Sequence, residues 1–211
     1  MGIITAITDI KGKKNRRGLE IDGQPAGSLH RVTVAEYGLR VGMELSIGEL
    51  GEIRLGVELR LAKDAGLYYL GRKARSRREL ERYLTGKGYD PVTAAAACDA
   101  IGEYGYLDDA ALSRDIVRGA AARGLGRRGA AEKLRLRGVS RENAEAGLSE
   151  YLPEEEADAC ARTAESLWRR NRREEPGKRR EKTAQALFRR GFTWDNIEPV
   201  IRRLEEETEE E

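Results

Sequence analysis

Three clusters of arginine and lysine are the residues of this sequence best suited to binding chemistry, because their fixed positive charges can neutralise phosphate or carboxylate groups. The clusters comprise Arg72, Lys73, Arg75, Arg77, Arg78 and Arg82, then Arg127, Arg128, Lys133 and Arg135, and finally Lys178, Arg179 and Arg180. A run of charges is usually only a solvated helix face, and glutamates that could form surface ion pairs are interspersed with these residues. The recurrence of the clusters along the chain favours a long polyanionic partner, such as a nucleic acid or a filament that contains one.

A glycine-rich segment at residues 124–129 has a sequence that can bind phosphate in other proteins. Its sequence, Gly-Leu-Gly-Arg-Arg-Gly, matches the G-x-G-x-x-G pattern that holds a pyrophosphate at the start of a helix. That chemistry needs a preceding β-strand, whereas residues 110–123 have the pattern of a helix. We therefore expect no nucleotide site here but a flexible loop. The wider segment 121–129 is rich in Gly and Ala, which predicts a flexible joint between helical modules.

The residue types that carry catalysis or bind metals are sparse and poorly arranged. Asp108 and Asp109 are adjacent, so their carboxylates diverge, and helix capping is the favoured interpretation. His30, the only histidine, has no nucleophile placed to pair with it, and Cys98 and Cys160 lie in alanine-rich stretches typical of reduced core residues. The sequence predicts no enzymatic activity, no cofactor and no metal.

Residues 1–50 have the pattern of a small antiparallel β domain. Apolar runs at 3–7, 19–21 and 29–34 are separated by a polar loop at 11–17 and by Asp22-Gly23, the pair typical of a type I′ hairpin turn. Thr33 and Ser46 each precede a glutamate by three residues, which is the spacing of a capping box. We expect the chain to become helical by about residue 46 and to stay helical.

The helical part contains a unit of about 50 residues three times, marked by Gly88, Gly138 and Gly191. Each glycine follows a basic residue, precedes an apolar one and lies four positions after a leucine, which is the pattern of a helix that ends in a left-handed glycine. A helix-capping residue comes two positions after each glycine: Asp90, Ser140 and Thr193. Each unit therefore contains a tight helix–turn–helix corner.

Further amphipathic segments flank each corner. The helix after the corner carries apolar residues on one face, namely Ala94, Cys98 and Ile101, then Ala144, Leu148 and Tyr151, then Ile197, Ile201 and Leu204. First helices precede the corners at about 55–73, 109–123 and 154–172, and Tyr68 falls on an apolar stripe of the first. The predicted fold is mainly α, with three three-helix repeats at 51–107, 108–152 and 153–211. We expect the repeats to stack in an elongated curved chain behind the β domain, with an acidic tail at 205–211.

The composition suits small helical units. Charged residues make up 36% of the chain, apolar residues 39% and aromatic residues 6%, which allows wide solvated faces over small cores. The few aromatic residues beside the basic clusters are needed for module cores, so base-specific recognition is not expected. Because the sequence has neither an apolar run of about 20 residues nor a signal segment, we expect a cytoplasmic protein that does not associate with the membrane.

The first unit resembles a known family. Residues 69–80, Tyr-Leu-Gly-Arg-Lys-Ala-Arg-Ser-Arg-Arg-Glu-Leu, are followed by Lys-Gly-Tyr at 87–89 and by Tyr-Gly-Tyr-Leu-Asp-Asp at 104–109. This pattern is similar to that of the RecX family of recombination regulators, over about residues 55–205. The resemblance implies a non-catalytic monomer that binds the RecA-type recombinase filament on single-stranded DNA. Such a protein mostly inhibits the filament's ATPase, strand-exchange and co-protease activities, in DNA repair and the SOS response. The family's contact faces map onto the basic clusters, with those of the first two units favoured.

Two other classes of function stay open. A general nucleic-acid-binding or chaperone module would use the same basic residues without a recombinase, although the net charge of only +2 and the acidic tail weigh against it. A scaffold that binds only protein is the third class. The sequence assigns no role to the N-terminal β domain.

Overall fold

The structure is a computed structural model that describes residues 1–209; Glu210 and Glu211, the last residues of the predicted acidic tail, lie outside the described residues. The chain divides into two units, Met1–Asp108 and Asp109–Glu211. Helix dominates both, and a small N-terminal sheet belongs to the first, so the predicted mainly α fold class is confirmed. Within the described residues, each helix is too short or too polar to span a membrane.

The N-terminal sheet is antiparallel throughout. Its strands are β1 (Gly2–Asp9), β2 (Arg16–Ile21), β3 (Gln24–His30) and β4 (Glu44–Leu45), in the order β3-β2-β1-β4. The hairpin between β2 and β3 turns at Asp22 and Gly23, whose φ angles of 50° and 73° are both positive. This confirms the predicted hairpin, because a type I′ turn needs positive φ at both central residues.

The capping box predicted at Thr33 is wrong. A short helix, α1 (Arg31–Glu36), begins directly after β3, and its N-cap is His30, whose Nδ1 accepts a hydrogen bond from the N–H of Val32 at 3.2 Å. Thr33 lies inside this helix, where its hydroxyl donates to the buried carboxylate of Glu58 at 2.5 Å. The predicted box at Ser46 is confirmed, since Ser46 and Glu49 bond reciprocally.

The first unit continues with helices that carry its second core. Residues 47–70 form one helical stretch made of α2 (Ile47–Ile53), a π-helical turn (Arg54–Glu58) and α3 (Leu59–Leu70). Helices α4 (Arg77–Lys87) and α5 (Pro91–Glu103) follow. The core between α3, α4 and α5 includes the predicted residues Ala94, Cys98 and Ile101.

The second unit consists of six helices in the described residues. They are α6 (Asp109–Ala122), α7 (Arg127–Arg137), α8 (Arg141–Ser149), α9 (Pro153–Arg170), α10 (Pro176–Arg189) and α11 (Trp194–Glu209). One core lies among α6, α7 and α8, and another among α9, α10 and α11. Cys98 and Cys160 are buried and reduced, as predicted, and burial raises the pKa of the Cys160 thiol to about 12.

The three glycine corners form as predicted. Gly88, Gly138 and Gly191 have φ angles of 99°, 71° and 89°, in the left-handed region that suits glycine. The leucine four positions before each glycine is fully buried. The side chains of Asp90 and Ser140 cap the helices that follow the first two corners.

A buried ion pair joins the sheet to the first repeat. Arg16 at the start of β2 and Glu58 in the π-helical turn are 3% and 1% exposed, and their side chains meet at 2.6 Å. Arg16 also donates to the carbonyl of Gly88 at the first corner and lies over the ring of Tyr89 at 4.5 Å. Ser28 of β3 donates to the same carbonyl at 2.8 Å, so the sheet covers this corner directly.

The flexible joint predicted at residues 121–129 is wrong, because Gly126 and Gly129 are packed against the third corner. Gly126 donates its N–H to the carbonyl of Arg190 at 3.1 Å. A Cβ on Gly129 would lie 2.3 Å from that carbonyl oxygen, and a Cβ on Gly191 would lie 2.1 Å from the nitrogen of Gly129. The glycines therefore allow the start of α7 to touch the third corner backbone to backbone, which holds the two helix triplets of this unit together.

Gly129→Ala should lower the free energy of unfolding of the second unit by about 2 kcal/mol or more, because the added methyl group would overlap a backbone carbonyl. Gly177→Ala is the matched control in α10, where nothing lies within 4 Å of the added methyl. Its effect should stay within about 1 kcal/mol. Urea unfolding followed by the fluorescence of Trp168 and Trp194, both in this unit, measures the two variants. Equal losses of stability would contradict the close backbone contact.

Candidate nucleic-acid interface

Helix α4 displays the free positive charges of the first repeat. Ser76 caps the helix, and Leu80 and Leu84 are buried in the core, which fixes the opposite face toward solvent. Arg78 and Arg82 stand one turn apart on that face, and neither takes part in an ion pair among residues 1–209. Lys73, in the turn before α4, is also exposed. These cations are available to a partner.

The other three basic residues of the first cluster are engaged within the unit. Arg77 pairs with Glu81 at 2.9 Å and with Asp99 at 2.6 Å, and the hydrogen bond to Asp99 is the main cause that raises its pKa. Arg75 lies over the ring of Tyr69 at 4.7 Å and within 3.8 Å of Glu79. Arg72 lies over the ring of Tyr68 at 4.9 Å and donates to its hydroxyl at 2.7 Å.

Helix α7 of the second repeat also carries both unpaired and paired basic residues. Arg128 is exposed and lies over the ring of Phe188 at 5.1 Å, and Lys133 is half-buried. Neither residue forms an ion pair within the described part of the chain. Arg135 is held by two hydrogen bonds to Glu132, of 2.7 and 2.6 Å, and these lower the pKa of that carboxyl.

Arg127 has a structural role at the start of α7. Its guanidinium donates to the carbonyl of Tyr151 at 3.2 Å, and its backbone N–H donates to Glu156 at 2.7 Å. The Glu156 carboxylate, which is buried, therefore takes the place at this helix N-terminus where the G-x-G-x-x-G pattern would hold a phosphate. The absence of a nucleotide site at this motif stays a prediction.

The basic residues of the third repeat are engaged by neighbours within that repeat. Arg180 meets Glu198 at 3.0 Å and Glu205 at 2.5 Å, so the first residue of the predicted acidic tail is one of its partners. Arg179 lies over the ring of Trp168 at 4.2 Å and donates to the carbonyl of that residue. Lys178 lies 3.6 Å from Glu174. These three residues brace α10 against its neighbours.

A groove beside α4 adds cations that the sequence analysis missed. It has a volume of about 870 Å³ and lies between the β1–β2 loop and helices α3 and α4, and we call it the loop–helix groove. Lys13 and Lys14 line it from the loop, Arg82 and Lys87 line it from α4, and no Asp or Glu is among its lining residues. Tyr68 also lines the groove and is 64% exposed, although its pattern indicated an apolar stripe.

The described residues contain no group of three His, Cys, Asp or Glu side chains that could hold a metal ion. His30 is occupied as the cap of α1, and burial is the main cause that lowers its pKa. Asp109 begins α6, and both it and Asp108 make contacts inside the protein. The chemistry that this surface offers is therefore the binding of anions by arginine and lysine.

Comparisons with known proteins support the similarity to the RecX family. Family models for the first and third three-helix domains of RecX match residues 62–99 and 154–201. The chain is 34% identical over 156 residues to the regulatory protein RecX of Halorhodospira halophila, which covers 73% of this chain and 94% of the relative. It is 24% identical over 212 residues to the regulatory protein RecX of Bacillus subtilis, covering 100% of this chain and 80% of the relative.

Solved structures share the fold. A crystal structure of a regulatory protein RecX superposes with a TM-score of 0.65 at 21% identity, covering 95% of this chain and 98% of that one. A crystal structure of RecX from Lactobacillus salivarius gives a TM-score of 0.63 at 22% identity, covering 69% of this chain and 96% of that one.

Proposed function

The chain belongs to the RecX family of regulatory proteins, and on that premise we propose that it regulates a RecA-type recombinase. It binds the filament that the recombinase forms on single-stranded DNA, as a monomer in the cytoplasm, and mostly inhibits the filament's ATPase, strand-exchange and co-protease activities. It catalyses no reaction of its own and needs no cofactor. Its effect comes from occupying the filament.

One observation carries the proposal beyond family membership. The middle helices of the first two repeats, α4 and α7, display Arg78, Arg82, Arg128 and Lys133 without a carboxylate partner among the described residues. A filament of protein on DNA presents phosphates and acidic side chains at regular intervals. Cations that are free in the unbound protein can neutralise those groups without first giving up an internal ion pair.

The proposed contact surface is narrower than the full set of predicted basic residues. It comprises the cations without an ion pair among the described residues, namely Lys73, Arg78 and Arg82 in the first repeat and Arg128 and Lys133 in the second. The other predicted residues of these two repeats are engaged within the protein and contribute little: Arg72, Arg75, Arg77, Arg127 and Arg135. Lys178, Arg179 and Arg180 contribute least, because each is engaged by a neighbour within the third repeat.

Replacing Arg78 and Arg128 together by glutamine should raise the concentration needed for half-inhibition of the filament's ATPase by roughly ten- to thirty-fold. The reason is that two charged contacts are lost, each worth about 1 kcal/mol or more. The measurement is ATP hydrolysis by recombinase on single-stranded DNA, titrated with the protein.

The matched control is Arg77→Gln with Arg135→Gln, which removes the same charge from the same two helices. Those arginines are already paired with Asp99 and Glu132, and exposed ion pairs contribute little, so inhibition should change by less than about three-fold. Equal effects of the two double variants would contradict the assignment of the free cations.

A second titration separates a filament regulator from a general nucleic-acid binder. The protein is added to bare single-stranded DNA and to the same DNA coated with recombinase and a slowly hydrolysed ATP analogue. We expect clearly tighter binding to the coated strand, since the recombinase adds contacts that bare DNA lacks. Equal affinity for both would favour the general binding module and overturn the proposal.

A further inference from the structure

The loop–helix groove gives the N-terminal β domain a function that the sequence did not assign. We propose that this groove binds a short segment of single-stranded DNA directly, with its lysines and arginine on the phosphates and the ring of Tyr68 against a base. The inference rests on the proposed function, because the partner in that function contains single-stranded DNA. It goes beyond that function by naming a second contact, which adds the β1–β2 loop and shares only Arg82 with the surface that carries Arg78 and Arg128.

The charge of the groove favours a polyanionic ligand. Lys13 is half-buried and Lys14, Arg82 and Lys87 are exposed, and none of the four forms an ion pair among residues 1–209. The charge of Arg16 at the base of the groove is balanced by Glu58. Four uncompensated cations facing a cavity without a carboxylate attract a chain of phosphates, because neutralising each phosphate releases a counterion.

The groove also presents an exposed aromatic ring. Tyr68 is largely exposed, and its ring is held in place by the Arg72 guanidinium, which lies 4.9 Å from the ring centre and donates to the hydroxyl. Deeper in the same region, Tyr69 and Tyr83 stack with ring centres 4.0 Å apart, and Lys87 lies over the ring of Tyr83. A positive groove with an exposed ring is the combination that single-strand binders use, and stacking on such a ring does not depend on base identity.

Both walls of the groove are held in place. The lysine-bearing loop ends at Arg16, which is tied to Glu58 and to the carbonyl of Gly88 next to Lys87. Asn15 accepts a hydrogen bond from the N–H of Arg31 at 2.8 Å, which anchors the loop from the other side. The sheet therefore presents Lys13 and Lys14 opposite α4, so that a bound strand would meet cations on two sides. An acidic peptide could use the charges but would gain nothing from the tyrosine ring.

The test uses the full-length protein and bare labelled single-stranded DNA without recombinase, followed by fluorescence anisotropy at several salt concentrations. For four neutralised phosphates the slope of log affinity against log salt should be about −2.8. Replacing Lys13 and Lys14 by glutamine leaves two neutralised phosphates and should reduce the slope to about −1.4. The matched control, Lys11→Gln with Arg40→Gln, removes two exposed charges from the same unit outside the groove and should leave the slope near its original value. Equal slopes for the two double variants would overturn the proposal.

The ring is tested separately. Tyr68→Leu should weaken binding to a mixed-sequence strand by about five-fold or more and should leave binding to an abasic strand of equal length unchanged. If a glutamate-rich peptide instead displaces the DNA at equal charge and Tyr68→Leu has no effect, the groove is an acidic-peptide site and the proposal fails. Arg78→Gln, which lies outside the groove, should weaken filament inhibition but not binding to bare DNA. A failure of the groove is thereby distinguished from a failure of the proposed function.

Discussion

The buried contact between Arg16 and Glu58 is the interaction on which the first unit depends. Glu58 accepts hydrogen bonds from the Arg16 guanidinium, from the hydroxyl of Thr33 and from the N–H of His30, so its charge is fully compensated in a site that excludes water. Breaking such a pair from one side leaves a buried charge, which costs about 3–5 kcal/mol. Glu58 lies in the π-helical turn of the long helix. One ion pair thus connects the sheet, the entry to the first repeat and its glycine corner.

The glycine corner is the feature that the rest of the chain reuses. The first and third corners both expose a backbone carbonyl, and in each case another part of the same unit covers it. Arg16 and Ser28 of the sheet bond to the carbonyl of Gly88, whereas Gly126 at the start of α7 bonds to the carbonyl of Arg190. Polar side chains cover the first carbonyl, whereas a backbone N–H covers the second. Covering the corners fixes the helices that carry the free arginines.

The local patterns predicted much of the fold and only part of the site. Helix ends at Gly88 and Gly138, the hairpin at Asp22 and the apolar faces of α5 and α11 depend on residues close in sequence, so spacing and capping chemistry were enough. Thr33 was misassigned because its hydroxyl is engaged by a carboxylate 25 positions away. The glycines at 124–129 were interpreted as flexible because their packing partner lies more than 60 residues further along. For the same reason, the sequence could list the basic residues but could not tell Arg78, which is free, from Arg77, which is paired with Asp99.

The central claim is that sheet and first repeat form one cooperative unit whose groove is held by the buried ion pair. Native-state hydrogen exchange of Glu58→Gln tests it most directly, compared with the natural chain and with a variant in which Arg16 and Glu58 are both replaced by methionine. We predict that Glu58→Gln lowers the free energy of opening of the β2 and β3 amides and of the Tyr89 N–H together, by about 3 kcal/mol. The double variant should recover part of this loss. Loss of protection confined to the sheet, with the corner unchanged, would contradict the account.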